Sequence, residues 1–80
     1  MKLCREMLRE FRESKGITQT HVAKMTGKEP KRISALENGT IALKSDEMLE
    51  IIVKGFGVSV PYFFTVVLSE IERSDADIPL

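Results

Sequence analysis

Side chains that commonly perform catalysis or bind metals are few in this chain of 80 residues. Cys4 is the only cysteine and His21 the only histidine, so the sequence offers neither an intramolecular disulfide nor a zinc cluster. It has no serine, histidine and aspartate arrangement and no phosphate-cradling glycine loop, since Gly55 and Gly57 are interpreted as helix punctuation. We therefore predict no enzymatic activity, no cofactor and no metal, and we interpret Cys4 as a small apolar residue of a first helix.

The charged side chains are divided unevenly along the chain. Residues 1–44 contain ten Lys or Arg and five Asp or Glu, a net charge of +5, whereas residues 45–80 contain two and seven, a net charge of −5. A molecule with this asymmetry would present its basic half to phosphate groups and keep its acidic half outward. The alternative is an ordinary solvated surface with no charged partner.

Five residues between Gln19 and Leu36 have the spacing that two short helices joined by a tight turn require. Ala23 leaves only a methyl group where the helices would cross, and Gly27 permits the positive φ of such a turn. Ile33 and Leu36 lie three residues apart, on one face of the second helix of the pair. The spacing predicts a helix-turn-helix, a unit that places its second helix in a groove of DNA.

Apolar periodicity and end signals predict two helices in the first third of the chain. The first helix ends at Gly16, and its apolar face consists of Leu3, Cys4, Met7, Leu8 and Phe11. Thr18 is a good N-cap for the second helix, which reaches about Met25.

Two further helices are predicted in the middle of the chain. Pro30 fits the first turn of the third helix, which ends at Asn38 and Gly39, although it lacks a favoured N-cap residue. Ser45 is predicted to cap the fourth helix, which ends at Gly57. Its predicted buried face consists of Met48, Leu49, Ile52, Val53 and Phe56.

The fifth predicted helix has more apolar residues than a monomer of this size could bury. Ser59 caps it, Pro61 lies in its first turn, and it reaches about Glu72. Surplus apolar surface usually marks an interface. We therefore predict a dimer interface made by Phe63, Phe64, Val67, Leu68 and Ile71.

These elements predict an all-α protein, a compact five-helix bundle that contains the helix-turn-helix. Residues 1–73 are predicted to form the domain, and residues 74–80 a frayed tail, since they mix acids with Pro79 and lack periodicity. Charged residues interrupt every apolar stretch near the N-terminus, and no long uncharged apolar run occurs, so we predict no signal peptide, no membrane partner and a cytoplasmic location.

The sequence from Leu3 to about Val67 resembles the Cro and phage-repressor (Xre) family of helix-turn-helix regulators. The residues that carry the resemblance are Gly16 to Gln19, the Ala23, Gly27 and Ile33 series, Leu36 to Gly39, and Gly57 to Ser59. The resemblance implies the lambda-repressor-like DNA-binding fold.

The family's non-specific contacts and its internal ion pair can be placed on this chain by resemblance. Gln19 matches a residue that clamps a phosphate, and Asn38 matches a second contact to the DNA backbone; such contacts position the protein without reading sequence. Arg12 and Glu37 match a partly buried ion pair that ties the first helix to the end of the third. We interpret that pair as structural.

The family's base-reading positions are occupied by Pro30, Lys31, Ser34 and Ala35, with Arg32 close by. Pro30 and Ala35 can offer only apolar contact, for example to a thymine methyl group, whereas Lys31 suits guanine and Ser34 is undemanding. Arg32 is predicted to reach a base or a phosphate. The alternative for Lys31 and Arg32 is an ordinary solvated helix face.

The loop from Gly39 to Ser45 departs from the family, whose members usually have a basic, proline-containing segment there. Its apolar residues, Ile41, Ala42 and Leu43, are predicted to pack on the core or on a second subunit. Lys44, Lys15 and Lys28 are further candidates for phosphate contacts by their location.

The leading functional prediction is a sequence-specific regulator of transcription, in particular a repressor. It would bind double-stranded DNA as a homodimer, with the third helix of each subunit in successive major grooves of an inverted repeat. The alternative is an antitoxin or accessory factor whose main task is to bind a partner protein, a toxin or a co-regulator, through its acidic half.

Overall fold

The computed structural model describes residues 3–71, which form five helices and no strand. The helices are α1 (Cys4–Ser14), α2 (Gln19–Thr26), α3 (Pro30–Asn38), α4 (Ser45–Glu50) and α5 (Val60–Val66). A π-helical segment, Ile51–Gly55, continues α4, and a second, Val67–Ile71, continues α5. The predicted all-α, five-helix fold is confirmed. Glu72 and the predicted tail lie outside the described residues.

Side-chain caps begin two of the helices as the sequence predicts. The Thr18 hydroxyl oxygen accepts a hydrogen bond from the His21 N–H at the start of α2 (3.0 Å), and that of Ser59 accepts from the Tyr62 N–H at the start of α5 (3.2 Å). The predicted Ser45 cap is wrong. Lys44 holds the extended N-cap conformation instead, and Ser45 already lies within α4, past the position from which a hydroxyl caps a helix.

The core is built from every helix and centres on aromatic rings. The ring centroid of Phe11 on α1 lies 5.0 Å from that of Phe56 and 5.1 Å from that of Phe63 on α5. Ile41 and Leu43 of the loop before α4 pack against this core from its margin. The largest fully buried side chains are Leu8, Phe11, Val22, Ile33, Leu36, Ile52, Phe63 and Val67.

The predicted buried face of the fourth helix is confirmed for Ile52 and Phe56 and wrong for Leu49 and Val53. Leu49 and Val53 are 49% and 52% exposed, whereas Ile51 and Gly55 are buried together with Ile52. Gly55 lies against Val22 of α2, so closely that a Cβ atom would be 2.9 Å from Val22 Cγ1. Gly55 is therefore a packing residue as well as the last residue of the π-helical segment.

The predicted interface on α5 is wrong for Phe63 and Val67. Both side chains are completely buried in the core of this chain, because the Phe11 and Phe56 rings lie beside Phe63 and α1 packs against the π-helical segment that contains Val67. Phe64 is half-buried and Leu68 is 56% exposed, so these two remain available to a partner. The side chain of Ile71 lies outside the described residues.

Only part of the predicted apolar face of α1 is buried. Leu3 and Cys4 are exposed where the helix begins, whereas Leu8 and Phe11 are buried.

Among the described residues no single helix is both long enough and apolar enough to cross a membrane. By length and composition alone, one pair, Ser45–Gly55 with Val60–Ser69, passes that test jointly, and it is bent by 87°.

Candidate nucleic-acid interface

The turn between α2 and α3 has the geometry of a helix-turn-helix. Gly27 has φ +73°, and the N–H groups of Gly27 and Lys28 both donate to the carbonyl oxygen of Ala23. The Ala23 side chain is buried, and Thr26 donates its hydroxyl to the carbonyl of Val22 (2.8 Å). The backbone thus leaves α2 in a closed turn that sets the direction of α3.

The two faces of α3 differ sharply in exposure. Ile33 and Leu36 are buried beneath the helix, as their spacing predicts. The predicted base-reading residues lie on the remaining surface, where Pro30, Lys31 and Arg32 are exposed and Ser34 and Ala35 are half-buried. Lys31 makes no ion pair within residues 3–71. This helix therefore presents one free cation, one hydroxyl and small apolar groups to solvent.

A network around Glu37 holds α1, α2 and α3 together. Arg12 donates from Nε to Glu37 Oε2 (2.7 Å) and from Nη2 to Oε1 (3.1 Å), and its Nη1 donates to the carbonyl of Ile17 (2.9 Å). Gln19 donates its amide to the same Oε1 (3.0 Å). The side chain that the resemblance assigns to a phosphate is thus oriented by Glu37 and retains one further N–H to donate.

A second network engages two of the predicted DNA-contacting cations. Arg32 donates from Nε to Glu47 Oε2 (2.8 Å), with Nη2 2.6 Å from the same oxygen. Lys28 Nζ lies 3.6 Å from that oxygen and 3.5 Å from Glu50 Oε1. The Arg32 and Lys28 side chains are therefore directed towards α4. Both were predicted to contact DNA, but in this structure both are paired with carboxylates.

Glu47 is the residue of this site that sequence reasoning missed. Its position in the first turn of α4 suits the helix dipole. Its side chain is only 9% exposed, however, and a buried carboxylate needs partners. The signal available in the sequence was a pair of basic residues at the start of α3, Lys28 in the turn before the helix and Arg32 in its first turn.

The remaining predicted phosphate contacts have different surroundings. Asn38 is exposed, and its Oδ1 accepts from the N–H (2.9 Å) and the hydroxyl of Thr40, which leaves its amide N–H groups outside this turn. Lys44 is exposed at the start of α4. The Nζ of Lys15 lies 5.8 Å from the centroid of the Phe11 ring, so its stem runs along the core.

Comparison with known proteins agrees with this arrangement. No individual curated protein and no solved structure matches the chain. A family model described as Helix-turn-helix (HTH_3) matches residues 8–63, a range that includes all of α2, α3 and α4. Because that match covers more than half of the 80 residues, the chain belongs to the Cro/C1-type, Xre-like helix-turn-helix family of DNA-binding regulators.

Proposed function

We propose that this DNA-binding regulator is a sequence-specific repressor that binds an inverted-repeat operator as a homodimer. The α3 helix of each subunit enters the major groove, and two-fold symmetry places the half-sites about one helical turn apart, on the order of 34 Å. Lys31 and Ser34 contact base edges, Pro30 and Ala35 make apolar contacts, and Gln19 and Asn38 donate to phosphates.

The observation that carries the proposal is the open outer surface of α3. Pro30, Lys31 and Asn38 are exposed along this helix while Ile33 and Leu36 anchor its other face. A helix fixed to the core on one side and uncovered on the other is the element that major-groove recognition requires. The small side chains of Ser34 and Ala35 would allow the helix to approach the base pairs closely.

Selection of bound duplexes from random DNA, repeated at two salt concentrations, tests this function. We expect an inverted repeat to be enriched and the affinity to fall steeply as salt increases, because Lys and Arg release counterions from phosphates. Lys31→Ala should weaken binding to the enriched site by about 1–3 kcal/mol. Lys54→Ala removes an exposed lysine outside α2 and α3 and should have little effect. Normal binding by Lys31→Ala would refute the assignment of α3.

A second candidate function is binding to a partner protein. Leu49 of α4 and Val53 of the π-helical segment that continues it are about half exposed, and such a pair of apolar side chains can dock against a partner helix. This function predicts a complex with a toxin or co-regulator that survives high salt and the loss of Lys31. Size-exclusion chromatography of Lys31→Ala with the product of a neighbouring gene distinguishes the two functions.

A further inference from the structure

We propose that Glu47 restricts DNA contact by holding Arg32 and Lys28 against α4, so that neither cation reaches the phosphate backbone. This inference rests on the proposed function. Glu47 acts here through the two cations and is a positioning residue for the α3 surface.

The geometry favours a held rather than a free Arg32. Two nitrogens of its guanidinium lie within 2.8 Å of Glu47 Oε2, and the carboxylate is almost inaccessible to water. A hydrogen-bonded ion pair with one buried partner is screened much less by salt than a contact between exposed charges. Release of Arg32 to a phosphate would leave the Glu47 carboxylate buried beside one cation, Lys28, at 3.6 Å.

The charge balance of the surface changes accordingly. Three cations follow Gly27: Lys28, Lys31 and Arg32. Within residues 3–71, Lys28 and Arg32 are paired with carboxylates and Lys31 is not. Phosphate contacts supply most of the affinity that is independent of sequence. Because two of these three cations are kept from the phosphates, non-specific affinity is lowered, whereas the base-edge contacts of Lys31 and Ser34 are retained. A larger share of the binding affinity then depends on the DNA sequence.

The salt dependence of binding to a short random-sequence duplex tests the inference. Glu47→Gln removes the charge that holds Arg32 and one of the two carboxylates beside Lys28, which keeps Glu50 at 3.5 Å. Because each added phosphate contact steepens the slope of log affinity against log salt by about 0.9, we expect the slope to steepen by about 0.9 to 1.8. Asp46→Asn changes the net charge equally from the neighbouring position, which pairs with neither cation, and should leave the slope close to that of the wild type.

Two further variants keep the test independent of folding. Arg32→Ala removes a side chain that is 46% exposed and should leave the slope of the wild-type chain unchanged, but it should abolish at least half of the increase produced by Glu47→Gln. Glu47→Asp keeps the charge and should retain the wild-type slope. A slope that falls by about 0.9 in Arg32→Ala alone would show that Arg32 already contacts phosphate and would overturn the inference.

The outcomes separate the two proposals. Binding by the wild type and by Glu47→Gln with equal slopes would overturn the inference and leave the proposed function standing. If neither protein binds any duplex, the proposed function fails and the inference fails with it. A steeper slope in Glu47→Gln that is reduced by at least half in the double variant with Arg32→Ala supports both.

Discussion

Arg12 and Glu37 form a nearly buried, bidentate ion pair between α1 and the end of α3, with side chains 11% and 6% exposed. The same carboxylate orients Gln19, so three helices meet at one acidic group. The position of α3 relative to the rest of the fold therefore depends on Glu37.

Removal of Glu37 should destabilise the fold strongly. Glu37→Ala leaves the Arg12 guanidinium almost buried without its carboxylate, and we expect the free energy of unfolding to fall by about 3–5 kcal/mol. Urea denaturation followed by circular dichroism measures this change. The double variant Arg12→Met/Glu37→Leu should recover much of the loss, because an apolar pair of similar volume needs no charge compensation. A loss below about 1 kcal/mol for Glu37→Ala would match an exposed pair and contradict this account.

The close approach of α4 to α2 gives a second prediction. Gly55→Ala should destabilise the protein by about 1–3 kcal/mol, although alanine normally favours a helix, because its Cβ would lie 2.9 Å from Val22 Cγ1. The double variant with Val22→Ala removes the clashing methyl group, so the two effects should be non-additive and the added cost of Gly55→Ala should shrink. Thermal denaturation of the four proteins measures the coupling. A stabilising Gly55→Ala would contradict the packing.

Because Phe63 is buried in the core and Leu68 is exposed, substitutions at these two residues should affect stability and association separately. Phe63→Ala leaves a cavity beside the stacked Phe11 and Phe56 rings and should cost about 3–5 kcal/mol of unfolding free energy. Leu68→Ala changes an exposed side chain and should alter stability by less than about 0.5 kcal/mol.

Association is tested at Leu68 alone, by sedimentation velocity over a range of protein concentrations. If the proposed homodimer uses the remaining apolar surface of α5, Leu68→Lys should shift the population towards monomer while the folded spectrum is unchanged. Unaltered association of Leu68→Lys would move the dimer interface away from this part of α5.

The sequence was most informative where structure is decided locally. Thr18, Gly27 and Pro30 fix a cap, a positive φ and a first turn through their own covalent geometry, so their positions are predictable without knowledge of the fold. The family resemblance then predicted the lambda-repressor-like arrangement of these helices, and the five-helix fold is confirmed.

The errors concern residues whose environment is supplied by distant parts of the chain. Glu47 is buried because Arg32, 15 residues earlier, reaches it, and Phe63 is buried because Phe11 and Phe56 close over it. Neither pairing has a local pattern in the sequence. The packing role of Gly55 has the same origin. The sequence does not distinguish a glycine that only ends a helix from one that also lets a neighbouring helix approach, and the contact with Val22 comes from the fold.

A change at the end of α3 should separate DNA binding from folding. Asn38→Asp keeps the side-chain oxygen that accepts from the Thr40 N–H, so the turn should persist, at a cost below about 1 kcal/mol for an acid near the negative end of the helix.

The same change replaces an amide donor by a second acceptor with a negative charge, where the family resemblance places a phosphate. We expect Asn38→Asp to weaken duplex binding at least tenfold in fluorescence anisotropy, by about 1.4 kcal/mol or more, and about equally for all sequences. Asp46→Asn and Asp46→Ala provide charge-changing controls away from α3. Unchanged affinity of Asn38→Asp would remove Asn38 from the interface. A loss confined to one DNA sequence would instead make it a base-reading residue, because a phosphate contact is blind to sequence.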